Sequence, residues 1–206
     1  PPGLAADFGE DHSGDPAEGR SLSNRAMAAA SGAYMTGDYR TALIHAERAA
    51  AAGEPRGATL AGHIRLHGLA GAADPEAAVR WLKRAAAQGE VDALLSLARL
   101  AKAERGGLSA FEARRFLADA ADTGDARAAL EFGLYLKETG DPGEADLVID
   151  WLRLAAEAGH TPAFFEYALT LDQWVHGPGD PRLALPWYER AAQTGDADAA
   201  LQAGLM

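Results

Sequence analysis

The chain contains no cysteine. That excludes disulfides, thiolate zinc sites and a cysteine nucleophile, and it is compatible with a reducing or an oxidising compartment. No apolar run approaches the roughly 20 residues that cross a bilayer as a helix. Basic residues are scarce: 19 Lys and Arg stand against 30 Asp and Glu, for a formal charge of −11. General DNA or RNA binding needs a basic footprint, and docking on anionic lipid needs one too, so neither fits. Strand patterns are missing as well. Without strands, neither a glycine-rich phosphate loop after a strand nor a nucleophile elbow has a place. Asp7-Phe8-Gly9 matches a kinase tripeptide, but no other kinase motif accompanies it.

What the chain does have is a period. One glycine recurs as Gly53, Gly89, Gly124, Gly159 and Gly195, at intervals of 36, 35, 35 and 36. Each follows a pair of alanines, from Ala49-Ala50 to Ala191-Ala192. Eight places before the glycine stand Trp81, Phe116, Trp151 and Trp187, with His45 in the first copy. Small residues return nine places after it: Gly62, Ala98, Gly133, Ala168 and Gly204. A glycine in the left-handed conformation ends a helix at low cost. Alanines and glycines at fixed places let helices approach closely, around the large body that the aromatic supplies.

Spacing between glycines is helical, as in Trp81-Leu82-x-x-Ala85-Ala86. Asp74-Pro75, Thr161-Pro162 and Asp180-Pro181 each read as a cap before a first-turn proline. Ser109-x-x-Glu112 is a capping box. Each unit is therefore two antiparallel helices, A then B. The pattern predicts A helices near 22–36, 55–68, 90–105, 125–139, 161–175 and 197–206, and B helices near 39–52, 75–88, 110–123, 144–158 and 181–194. Pro186, inside the last B helix, predicts a kink. Residues 1–21, with their Gly, Pro, Asp and Glu, read as a flexible acidic lead-in. The chain opens on Pro1, as expected of one whose initiator methionine, alone or together with a signal peptide, is gone.

The string Ala77-Ala78-Val79-Arg80-Trp81-Leu82-Lys83-Arg84-Ala85-Ala86-Ala87-Gln88-Gly89, and Leu183 through Gly195 after it, resemble the Sel-1-like repeat, a relative of the tetratricopeptide repeat. The resemblance covers about residues 22–206. It implies one all-α, right-handed solenoid of about five antiparallel helix pairs, with units near 22–53, 54–89, 90–124, 125–159 and 160–195 plus an unpaired helix 196–206. The first unit departs from it: Gly37-Asp38-Tyr39 is more tetratricopeptide-like and the tryptophan is missing. The resemblance also implies A helices along the concave face, adaptor or scaffold roles in bacterial envelope, exopolysaccharide or signalling assemblies, and no shared catalytic residue. The chain is accordingly read as a non-enzyme without a cofactor. The same habits, with the absence of cysteine, tilt the compartment toward a bacterial periplasm over the cytoplasm.

By similarity to tetratricopeptide geometry, ligand-facing places lie 3, 6, 10, 13 and 14 residues after each glycine. The candidates for a partner-binding groove are Arg56, Thr59, His63, His67, Leu95, Arg99, Lys102, Arg127, Leu130, Leu134, Lys137, Phe165, Leu169 and Gln173. The twenty places so counted hold five Lys or Arg against three Asp or Glu (Asp92, Glu138 and Asp172), the reverse of the whole chain. A locally basic, leucine-lined channel would suit a protein or peptide with carboxylates and apolar anchors. Other readings stay open. His63 and His67, four apart on one helix, are a weak metal candidate without a third ligand. With the out-of-phase Trp174 they suggest a metal- or polysaccharide-binding module. The chain could also be a spacer in a longer protein. Its last helix ends in Ala203-Gly204-Leu205-Met206, where a solenoid end needs a polar cap. That end would continue into more chain, dock a partner or self-associate.

Overall fold

The computed structural model describes residues 16–173 and 180–206. Among the described residues there are eleven α-helices and no strand. They are α1 (Pro16–Met35), α2 (Tyr39–Ala51), α3 (Pro55–Leu66), α4 (Pro75–Ala86), α5 (Val91–Lys102), α6 (Ala110–Ala121), α7 (Ala126–Thr139), α8 (Ala145–Glu157), α9 (Thr161–Asp172), α10 (Pro181–Gln193) and α11 (Ala197–Leu205). A short 3-10 turn, Pro142–Glu144, leads into α8. Odd-numbered helices through α9 are the A helices and pair with the even-numbered B helix that follows. Each B helix then packs on the next A helix, so contacts run between neighbours along the chain.

Local chemistry sets the helix ends. Gly53, Gly89, Gly124, Gly159 and Gly195 all have φ between 77° and 97°. Each returns its N–H to the second alanine of the preceding pair, as Gly89 does to the Ala86 carbonyl at 2.9 Å. The paired alanines thus serve twice: small enough for close packing, and placed to accept the terminal hydrogen bonds. Asp74 caps α4 by accepting from the Ala77 N–H at 2.8 Å, and the Ser109–Glu112 capping box starts α6. At α9 the cap is His160, and Thr161 is already helical.

Two expectations are corrected. Helix α1 begins at Pro16, so the last residues assigned to the lead-in are helical; residues 1–15 lie outside the described residues. Pro186 lies inside α10, which runs from Pro181 to Gln193; the carbonyl that loses its donor belongs to the exposed Arg182. The tryptophans are not the buried bodies, although Phe116 at the same place is, at 6% exposed. Trp81, Trp151 and Trp187 are half-buried and lie over the core. The residue one place later is the true knob: Ala46, Leu82, Leu117, Leu152 and Tyr188 are all at most 3% exposed. The small residues of the A helices receive these knobs. A Cβ on Gly62 would lie 2.9 Å from Leu82 Cγ, and one on Gly133 would lie 3.0 Å from Leu152 Cδ2.

Candidate functional site

The A-helix face was the expected binding face, and its residues divide by burial. Leu95 and Leu130, 2% and 8% exposed, belong to the core and present nothing to a partner. The six-after place on α5 and α7 turns inward there, because leucine fills the space against the neighbouring unit. Leu134 and Phe165 are half-buried and pack on the core, and Leu169 is half-buried as well. Arg56, His63, His67, Arg99, Lys102, Arg127, Lys137 and Gln173 are exposed, with Thr59 half-buried. Trp174 lies outside the described residues.

Most of the basic residues on this face already have carboxylate partners on the next A helix. Arg99 on α5 pairs with Glu131 on α7, and Lys102 with Glu138 at 2.8 Å. Arg127 reaches back to Asp92 at 3.0 Å and to its own cap Asp125 at 3.1 Å. Lys137 on α7 pairs with Glu166 on α9 at 3.2 Å. Two of these acids, Glu131 and Glu166, stand seven places after the glycine, outside the five places read from sequence. Counting them brings acids to five against five bases. The face is therefore a charge-paired lattice that staples successive units, and a uniformly basic channel is not what it presents. Each pair is solvent-exposed and worth little alone. Arg56 is the exception: among the described residues it makes no ion pair.

Arg56 opens onto a cleft of about 320 Å³ between α1, α3 and α5. Met27, Leu60, Leu66 and Leu82 form its apolar wall, and Thr59, Glu90, Asp92 and Ser96 its polar floor. Tyr34 of α1 and His63 of α3 meet edge to face with ring centres 6.0 Å apart. His67 lies one turn on, its ring 4.5 Å from that of His63. Although the residue as a whole is exposed, partial desolvation of its ring first, and then the His67 charge, hold the His63 imidazole below its ordinary value. Glu90 is pushed above the usual carboxylate range, chiefly by burial and then by Asp92.

The His63 shift has a definite sign. The folded chain binds its proton less readily than the unfolded chain, so this contribution to stability is whole above the ordinary imidazole value and is lost as pH falls through the folded value. We expect the His63 ring resonances to titrate below an ordinary histidine, and His67→Ala to move that titration upward. An NMR titration that leaves His63 unmoved by His67→Ala would show that the second ring plays no part.

Arg56, Thr59 and His63, counted from the repeat glycine, line this cleft, and Met27 and Tyr34, which that count does not reach, line it too. These lie on α1, which no repeat glycine precedes, so counting from glycines could not reach them. Glu90 precedes α5 as its cap residue and makes no capping hydrogen bond with its side chain, which leaves its carboxylate available to the cleft. The two histidines share a helix face, and no group of three or more metal-ligating side chains occurs among the described residues.

The Sel1 repeat model matches residues 9–54, 55–90, 126–160 and 175–196, about two thirds of the chain. The first unit is matched after all, although its tryptophan is missing. The A halves that carry Gly62 and Gly133 lie inside the matched segments, and those with Ala98 and Ala168 in that place lie outside. Among solved structures, a Sel1 repeat protein from Oxalobacter formigenes superposes with a TM-score of 0.77 at 27% identity, over 86% of this chain and 74% of that one. A protective antigen of uropathogenic Escherichia coli with an SLR fold superposes with a TM-score of 0.75 at 26% identity, over 92% of this chain. The present chain spans 44% of that antigen's length. No curated protein matches. A repeated glycine terminus, a buried knob in each B helix and the matched segments agree, and the chain belongs to the Sel1 repeat family.

Proposed function

We propose that this chain is a non-catalytic interaction scaffold that takes a segment of a partner protein on its A-helix face, seated in the cleft between α1, α3 and α5. The observation that carries this reading is the cleft itself: an apolar wall beside a guanidinium, Arg56, that no carboxylate among the described residues neutralises in an ion pair. An apolar anchor followed by a carboxylate is the chemistry that suits it, since a buried side chain supplies affinity and a charge-assisted hydrogen bond sets register. Further along, the A-helix lattice between Arg99 and Glu166 would contact the partner through paired charges, which contribute more to selectivity than to affinity. Both solved relatives named above come from bacteria, which supports a place in a bacterial assembly. Envelope, exopolysaccharide and signalling assemblies, and a periplasmic site, are the roles the family resemblance favours. A second reading is self-association through α11, whose Leu201 and Leu205 are 60% and 73% exposed.

The test is affinity capture from the source cell, read by mass spectrometry. Wild type runs beside a double variant, Arg56→Glu with His63→Ala, both at exposed positions. A protein captured by wild type and lost by the double variant, then shown to bind directly when purified, is the expected result. Equal capture by both would overturn the cleft. Sedimentation of wild type beside Leu201→Asp decides the second reading.

A further inference from the structure

The repeat supplies its own control for each B helix, and α8 departs from it. Five places before the terminal glycine the other units carry a charged residue: Arg48, Arg84, Asp119 and Arg190. In α4 and α10 that arginine lies over the repeat's own tryptophan, Arg84 at 5.7 Å from the Trp81 ring centre and Arg190 at 4.8 Å from that of Trp187. The place is held in α8 by Leu154, 39% exposed. Trp151 consequently has no guanidinium over it among the described residues, and it stands half-buried beside a leucine. One turn before it is Leu147, 44% exposed. Leu147, Trp151 and Leu154 are spaced i, i+4, i+7, one stripe of a helix. They line a shallow cleft of about 500 Å³ with Asp150, Arg153 and Glu157. Leu183, at the Leu147 place of the adjacent B helix α10, is 57% exposed.

The charges around the stripe are acidic. Arg153 is engaged by Asp150 at 2.8 Å. Asp146 and Glu157 enter no ion pair among the described residues. We propose that the outer face of α8 is a second docking site, taking an amphipathic helix of a partner protein that carries two or three apolar anchors and Lys or Arg on its flanks. Apolar anchors bury Leu147, Trp151 and Leu154, and basic flanks meet Asp146 and Glu157. Charge also argues against the other occupants. Two copies meeting through this face would set its acids against themselves, and α11, which exposes leucines, carries Asp196 and Asp198 and no basic residue. An anionic membrane surface is repelled for the same reason.

The test selects from a displayed library of randomised helical peptides on the whole chain. Wild type is the bait, and Leu154→Arg the counter-bait. That substitution restores the residue type of three other units and gives Trp151 a guanidinium, so it is expected to fold, as a thermal melt checks. Enriched peptides should carry apolar residues at i, i+3 or i+4 and i+7 with basic flanks. They should weaken about tenfold or more against Leu154→Arg, and further as salt rises. They should bind the Arg56→Glu, His63→Ala variant as they bind wild type, which separates this face from the A-helix cleft. Enrichment of acidic peptides, equal binding to wild type and Leu154→Arg, or no enrichment would each overturn the proposal. So would a wild-type dimer in sedimentation that Leu154→Arg abolishes.

Discussion

Replacing Leu152 by alanine is expected to lower the unfolding free energy by about 3–4 kcal/mol, as for other fully buried leucines whose removal leaves a cavity. Leu152 is 0% exposed and is the knob of α8. Its Cδ2 and Cγ lie 3.0 and 3.1 Å from where a Cβ on Gly133 of α7 would stand. The pair therefore couples. In the wild-type background Gly133→Ala presses a methyl into Leu152, so the gain from alanine's helix propensity is offset by strain. In the Leu152→Ala background those atoms are gone. The same substitution then fills part of the cavity and adds about 1 kcal/mol from propensity. Urea denaturation of the two single variants and the double should give a non-additive cycle, with Gly133→Ala rescuing Leu152→Ala. Strict additivity would mean that the two residues do not share the space.

Gly57→Ala is expected to cost about 3 kcal/mol even though alanine is the better helix former, because overpacking against a rigid neighbour outweighs propensity. The added Cβ would stand 2.7 Å from the Ala46 carbonyl oxygen and 2.8 Å from both the Ala49 Cβ and the Ala50 nitrogen. Two of the three are backbone atoms of α2, so no rotamer change relieves them and α2 must move off α3. Contacts in this fold run between neighbours, so the damage should be local. Hydrogen exchange should quicken in α1 and α2 while α5 through α10 keep their protection. A melt and exchange pattern like those of wild type would show that the α2–α3 contact has slack.

Fold class and most helix ends were legible in the sequence, for a physical reason. Helix termination is local chemistry: a glycine at positive φ, an aspartate cap, a first-turn proline. Five phased copies average out local noise. Even the depth order within a B helix was nearly readable. The aromatic is the larger residue, but the smaller residue after it, Leu82 or Leu152, reaches the bottom of the groove, while the wider indole stops at its rim.

The surface was less legible, because its character depends on pairs of residues in different units. Arg99 and Glu131 are 32 residues apart, and nothing local says that their side chains meet. Read singly, Arg99, Lys102, Arg127 and Lys137 promise a basic channel; brought together with Asp92, Glu131, Glu138 and Glu166, they form a paired lattice. Leu95 and Leu130 occupy the same repeat place as the half-buried Thr59 and Phe165, and only packing against the next unit decides that they are interior. Tyr34 enters the cleft from a helix outside the glycine count. By itself the sequence determined a Sel1-type stack of helix pairs, since each helix start and stop is encoded within a few residues. The tertiary structure alone decided which of its charges are spent and which apolar residues remain outside, because both depend on distances between units that the chain does not spell out along its length.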